Sequence, residues 1–203
     1  MTASTPMWAR VTNRDRGSFA SFTALPESAN DGDIACIPQL VGSEMIRMRY
    51  VAASARWAVE VGQVIASALD PFAVVGAGAA TNYDKSFCTI PAWMWGENEE
   101  WEFAQPTETV AGNIGTVTSR IFLGSFESTW PIAASRRDAA VIRYVRRNNN
   151  PRRRYLTVGQ FVDYGLGYIA PDMSQPIEYR HRLSFSNVGD SGYIIHSHIR
   201  RSA

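Results

Sequence analysis

The stretch "IEYRHRLSFSNVGDSGYIIHSHIRRSA", residues 177 to 203, begins with a strict alternation of side-chain character. Every second residue from Ile177 to Phe185 could face a core, whereas Arg180 and Arg182 would face solvent, as in a half-buried antiparallel strand. The turn residues "SNVGDSG" follow, and "YIIHSHI" then predicts a returning strand. This stretch predicts a hairpin, or a pair of neighbouring strands, in which Tyr179, Leu183 and Phe185 are buried.

The same alternation recurs upstream in "TVTSRIFLG" (116–124), "AAVIRYVRR" (139–147) and "RYLTVGQFVDYG" (154–165). In "MIRMRYVAASARWAVEVGQVIA" (45–66), two β-rich runs flank the turn "AASA", which predicts a β-hairpin with Tyr50 before the turn and Trp57 after it. A short segment around Val61 to Leu69 is the one candidate helix. Many short strands, separated by turn residues, predict an all-β protein.

We expect two regions in this fold. Residues 81–203 are predicted to form a C-terminal antiparallel β-sandwich, jelly-roll-like in its connections. Residues 1–80 are predicted to form an N-terminal attachment segment and β-hairpin region. The small-residue stretch "VVGAGAATNY" (74–83) is the expected linker between them.

Composition excludes several classes of function. The chain has 203 residues, of which 45% are hydrophobic and 19% charged, a balance typical of a folded globular protein. Its net charge of +1 gives no overall attraction to nucleic acid or to an anionic membrane. No signal peptide and no apolar run of ~20 residues is recognisable, so we expect cytoplasmic synthesis without membrane insertion. Two cysteines, Cys36 and Cys88, are expected to be free thiols.

The order of segments in the second half resembles a small β-sandwich of tailed-bacteriophage fibre, tail and head-decorating proteins. The resemblance is carried by "GNIGTVTSRIFLG", by "AAVIRYVRRNNNPRRRY" and by the closing pair of strands around the "NVGD" turn, and it covers residues 112 to 203. In the first half, "DGDIACIPQLVGSEMIRMRYVAASARWAVEVG" is similar to a hairpin common in phage fibres.

This resemblance implies a virion structural protein made in the host bacterial cytoplasm. It implies a homotrimer that contacts other virion proteins and a host cell-surface glycan, without a cofactor, without enzymatic turnover and without a specific nucleic acid. The alternative is a carbohydrate-binding or polysaccharide-degrading β-sandwich protein, for which "ENEEWE" would supply carboxylates.

Two stretches depart from the family pattern and are candidates for specificity. Trp93, Trp95 and Trp101 lie among acidic residues, a composition suited to stacking on sugars, although tryptophans two apart on a strand also pack into cores or subunit interfaces. Arg152, Arg153 and Arg154 follow "NNNP" and could bind phosphate or another anion. Their alternative role is a solvated hairpin end that protects a strand edge from aggregation.

His196 and His198 are two apart on a predicted strand and so point to one face, as two ligands of one metal would. Three chains around a symmetry axis would bring six such nitrogens together, which resembles trimeric phage tips with H-x-H iron sites. Histidines on the exposed face of a strand need no metal, so the scaffold interpretation stays open beside the metal interpretation.

Overall fold

The computed structural model describes residues 14–78, 81–94, 96, 99–110, 116–124, 126–133, 137–145, 152–157, 160–164 and 175–203. The chain divides into two compact units, here called unit 1 (Met1–Pro38 and Glu44–Glu60) and unit 2 (Gln39–Ser43 and Val61–Ala203). The units therefore divide about twenty residues before the position expected from the sequence, because the strand Val64–Val74 pairs within unit 2. The stretch 74–83 connects strands of that one unit.

Unit 1 is a four-stranded sheet in the order β1 (Asp15–Ser18), β2 (Ile34–Pro38), β3 (Met45–Val51) and β4 (Arg56–Val59). β1 and β2 are parallel, and the other neighbours are antiparallel. The predicted hairpin is confirmed as β3 and β4, where Tyr50 pairs with Trp57 and their ring centroids lie 5.4 Å apart, edge to face. Ala55 closes the turn with a positive φ of 48°.

Unit 2 contains two antiparallel sheets. The six-stranded sheet has the order β12 (Gln160–Tyr164), β11 (Arg152–Thr157), β10 (Arg137–Val145), β7 (Glu100–Val110), β14 (Ser191–Arg201) and β5 (Val64–Val74). The four-stranded sheet has the order β6 (Asn82–Ile90), β13 (Ile177–Phe185), β8 (Thr116–Leu123) and β9 (Phe126–Ala133). The all-β prediction is confirmed. The helix predicted around Val61 to Leu69 is wrong, since β5 begins at Val64.

The two sheets of unit 2 pack face to face as a β-sandwich. One core cluster joins Val74 and Ile194 of the six-stranded sheet to Val117, Leu183 and Phe185 of the four-stranded sheet. Over the described residues the helical elements are three short 3-10 turns at Phe22–Ala24, Ala52–Ser54 and Ala92–Met94. Among them there is no helix of the length and apolar character needed to cross a membrane.

The last two strands lie in different sheets, and so they do not form the hydrogen-bonded hairpin considered from the sequence. β13 lies between β6 and β8, whereas β14 lies between β7 and β5. The turn between them therefore crosses from one sheet to the other. At the start of β14, Gly192 faces side chains of β13 in the opposite sheet. A Cβ at this position would lie 3.1 Å from Phe185 Cζ and 3.2 Å from Leu183 Cδ1. The alternation within β13 is confirmed, because Tyr179, Leu183 and Phe185 are buried.

Candidate functional site

The outer face of the six-stranded sheet brings together candidate residues that are far apart in the sequence. In the strand register, Arg200 of β14 is opposite Glu102 of β7, Glu102 is opposite Arg143 of β10, and Arg143 is opposite Arg154 of β11. These four positions form one row across four neighbouring strands. His198 lies on the same face as Arg200, two residues earlier in β14.

Glu102 is the buried acid at the centre of this row. Its side chain is almost fully enclosed, and Arg200 Nη2 donates to Glu102 Oε1 over 2.6 Å. His198 Nε2 lies 3.4 Å from the same oxygen. Burial lowers the pKa of His198 and nearby His196 lowers it further, whereas the contact with Glu102 acts in the opposite direction. The net pKa of His198 is below its ordinary value, so this imidazole is neutral at pH 7.

The imidazoles of His196 and His198 do lie on one face, with ring centroids 5.1 Å apart. Each already has a polar neighbour in its own chain: His196 Nε2 is 3.1 Å from Ser67 Oγ, and His198 Nε2 faces Glu102. Within the described part of the chain, no three residues of the metal-ligating types are grouped to hold an ion. One chain therefore does not complete a metal site here, and a site shared by several chains stays a prediction.

The arginine candidates are on β11, between β10 and β12. Arg152 and Arg154 are in register with Val145 and Arg143, whereas Arg153 is in register with Tyr144. Because successive residues of a strand alternate between faces, Arg153 belongs to the opposite face of the sheet from its two neighbours. Anion contact through these three residues stays a prediction. Arg154 is in register with Arg143 of the central row, and Arg152 lies on the same face.

The tryptophan candidates do not form one surface that the structure can describe. Trp101 is 1% exposed, and its Nε1 lies within 3.3 Å of Glu99 Oε2, which also accepts the Gly96 backbone N–H at 2.8 Å. Trp101 is therefore a packing residue and is not available to stack on a glycan. The backbone of Trp93 lies in the 3-10 turn Ala92–Met94, and Trp95 lies outside the described residues. Glycan contacts through these two stay predictions.

A second charged surface, on the outer face of the four-stranded sheet, was not singled out from the sequence as a site. Arg180 and Arg182 of β13 place their guanidinium carbons 4.9 and 4.6 Å from the centroid of the Phe122 ring on β8. Arg182 also donates two hydrogen bonds to Asp84, of 2.6 and 2.7 Å, and this pairing holds the pKa of Asp84 below its ordinary value. The stacking explains why Phe122 is buried although it lies on the outer face.

The interior of unit 2 also contains a polar cluster that was not predicted from the sequence. Gln105, Thr107, Ser119 and His181 are all fully buried between the two sheets. The alternation of β13 already contained the signal, because His181 has the same parity as Tyr179 and Leu183 and therefore occupies an inward position.

Comparison with known proteins adds no relative to these observations. Neither a scan against protein-family models nor a search of curated proteins finds a match for this chain. The residues and their arrangement are therefore the basis for the functional proposal.

Proposed function

We propose that this protein is a structural component of a bacteriophage particle, in a fibre, tail or head-decorating position, and that it acts by assembly and by adhesion to the host surface. The observation that carries the proposal is the arrangement of β13 and β14. The sequence resemblance rests on two closing strands around an "NVGD" turn, and these strands occupy interior positions in the two sheets of a β-sandwich. The residues that carry the resemblance are thus the residues that organise unit 2.

The hairpin of unit 1 supports the same proposal. The phage-fibre pattern has a tyrosine and a tryptophan on either side of a tight turn, and in this chain Tyr50 and Trp57 are cross-strand partners beside that turn. Trp57 also donates from Nε1 to the Pro26 carbonyl oxygen over 2.9 Å, which fastens the preceding loop to the hairpin.

Adhesion would use the outer face of the six-stranded sheet. Arg200 extends from β14 with 40% of its side chain exposed, and Arg143, Arg152 and Arg154 occupy positions on the same face of neighbouring strands. Arginine forks suit the carboxylate or phosphate groups of an anionic surface glycan. In a trimer, three such faces would multiply a weak single-site affinity through effective concentration.

The test is to locate the protein in purified particles. Particles would be separated on a density gradient from lysates of bacteria that express this chain, and its copy number would be measured by quantitative mass spectrometry against the major capsid protein. We expect it to co-purify in a fixed ratio, and immunogold labelling would then assign it to head, tail or fibre. An abundant protein in the lysate that is missing from the particle fraction would refute the proposal.

A further inference from the structure

A chain of polar side chains crosses the interior of unit 2 and joins its two sheets. Gln105 and Thr107 come from β7 in the six-stranded sheet, whereas Ser119 and His181 come from β8 and β13 in the four-stranded sheet. Gln105 Nε2 donates to Ser119 Oγ over 2.7 Å, and Thr107 Oγ1 lies 3.3 Å from that same hydroxyl. These bonds join the two sheets within the core, where Tyr179 OH and Ser197 Oγ also approach each other across the layers at 3.4 Å.

His181 forms the end of this chain and holds one nitrogen without a partner. Its Nδ1 lies 2.5 Å from Gln105 Oε1. The Gln105 amide nitrogen already donates to Ser119, so its oxygen can only accept, and Nδ1 of His181 carries the proton. The other nitrogen, Nε2, is buried and has no hydrogen-bond partner. The neutral ring with its proton on Nδ1 is therefore the form that fits the interior.

Among the residues that the structure describes, those placed directly against the ring carry no negative charge. Phe87 and Tyr179 lie 5.3 and 4.9 Å from it, centroid to centroid, and Ile121 is its register partner on β8. On β6 its register partner is Lys85, a cation whose side chain is exposed.

The titratable groups described on the neighbouring strands do not supply a negative charge to the ring either. Burial raises the pKa of the Cys88 thiol to about 12 and raises that of the Tyr179 phenol, so both stay neutral. Three carboxylates of these strands, Asp84, Glu178 and Glu102, are engaged on the outer faces, by Arg182, Arg180 and Arg200. A proton on Nε2 would thus create a buried cation without a counter-charge.

We propose that His181 makes unit 2 acid-labile, because protonation of its buried Nε2 can be accommodated only when the two sheets separate. Burial lowers the pKa of His181 from 6.5 to about 3 in the folded chain. Below pH 6.5 the unfolded chain binds a proton that the folded chain does not, so stability falls as the pH decreases from there toward 3 and is unaffected above it. This inference holds whether or not the protein belongs to a particle.

The test is urea unfolding of the full chain, at one protein concentration, between pH 7.5 and pH 4.5. One unmatched proton raises the unfolding equilibrium constant about tenfold per pH unit, and therefore about 100-fold over this range. His181→Leu combined with Gln105→Leu replaces both buried partners and should remove most of this dependence. His198→Gln is the matched control for a histidine whose pKa is also lowered, and it should keep most of the dependence.

Two outcomes would overturn the proposal. The first is an unchanged pH dependence in the folded double variant. The second applies to the wild type and needs no variant: side-chain NMR of the folded protein should show one histidine that stays neutral, with its proton on Nδ1, down to pH 4.5. Titration of the His181 imidazole in the folded state above that pH would contradict the buried, unpartnered position of its Nε2.

Discussion

Leu183 and Arg182 are adjacent in the sequence but lie in opposite environments. Leu183 is fully buried in the core cluster, whereas Arg182 lies on the outer face of β13 with 21% of its side chain exposed. The sequence predicted this difference because alternation with a period of two assigns each residue of a strand to one face. A register shift by one residue would have exchanged the two environments.

Leu183→Asp is expected to unfold unit 2, because an unpaired carboxylate in the core destabilises the fold by several kcal/mol. Arg182→Ser should lower the free energy of unfolding by only about 0.5–1 kcal/mol. It removes a partly exposed ion pair with Asp84 and one of the two guanidinium groups that stack on the Phe122 ring. Circular dichroism during urea unfolding measures both. Similar losses in the two variants would show that the faces are assigned wrongly.

Unit 1 also contains a buried charged residue, Asp33, and its carboxylate is paired with hydrogen-bond donors. It accepts hydrogen bonds from Arg16 Nε over 2.8 Å and from the backbone N–H groups of Arg14 and Asn30. No pattern in the sequence indicates this role, since one aspartate in a turn is usually solvated. The partners lie up to 19 residues away and are brought together only by the parallel pairing of β1 and β2.

Unit 1 should lose stability in strong acid through Asp33. Desolvation by burial opposes ionisation, but the bonds from Arg16, Asn30 and Arg14 outweigh it and hold the pKa of Asp33 below its ordinary 3.8. Because the folded pKa is the lower one, the stabilisation is present above 3.8 and is lost as the pH falls below it. Asp33→Asn should therefore weaken unit 1 at pH 7 and have a smaller effect at pH 3. The Trp57 indole N–H signal during urea unfolding reports on this unit, and an equal effect at both pH values would contradict the role.

At the scale of elements, the sequence predicts strands better than their pairing. The hairpin of β3 and β4 could be predicted because its turn and both aromatic residues are local. The pairing of β13 and β14 could not, since alternation fixes which face of each strand is buried but not which sheet the next strand joins. β5 contradicts the candidate helix around Val61 to Leu69, because its extended form is determined by pairing with the distant strand β14.

Gly192 follows the turn that crosses between the two sheets, and the space at this position limits which residue can occupy it. Any side chain there meets Phe185 and Leu183 of the opposite sheet at 3.1 to 3.3 Å. Gly192→Val should therefore overpack the interior and lower the free energy of unfolding by about 1–3 kcal/mol. Tyr193→Val, at the next position of β14 and less buried, is the matched control and should have a smaller effect. Urea unfolding measures both, and a Gly192→Val variant as stable as the wild type would contradict the close approach.

At the scale of the whole molecule, the resemblance to phage fibre and tail proteins implies association into a homotrimer. Met94, Trp101 and Phe103 of the tryptophan-rich segment are buried within unit 2, so these three side chains are not available to a subunit interface. By strand register, Val141, Leu156 and Phe161 occupy one row of positions across β10, β11 and β12, and Ala104 and His198 continue that row on β7 and β14. An apolar row beside a charged row is typical of a surface that binds another protein.

We therefore predict a homotrimer in which this row of β10, β11 and β12 contacts a neighbouring chain, while the arginine row beside it stays at the polar rim of the interface and open to the host surface. Light scattering at micromolar concentration should give three times the chain mass of 22.5 kDa. Phe161→Glu should shift the protein toward a folded monomer, with the circular dichroism spectrum unchanged. Thr107→Glu is the contrasting variant, because Thr107 is buried between the two sheets. A carboxylate at this position is expected to unfold the chain instead of separating the subunits. A wild type that stays monomeric at high concentration would contradict the prediction.

The strand register allows adhesion to the host to be tested with contrasting arginine variants. If anionic groups bind the outer face of the six-stranded sheet, Arg154→Ala should weaken attachment of the purified protein to cells, whereas Arg153→Ala, on the opposite face, should have little effect. The loss should be largest at low salt, because exposed charges are screened over ~8 Å at physiological ionic strength. Trp95→Ala tests the alternative of stacking on a sugar, and attachment that depends on Trp95 should barely respond to salt. Attachment that is unchanged in all three variants at every salt concentration would exclude these contacts and leave assembly as the role of the protein.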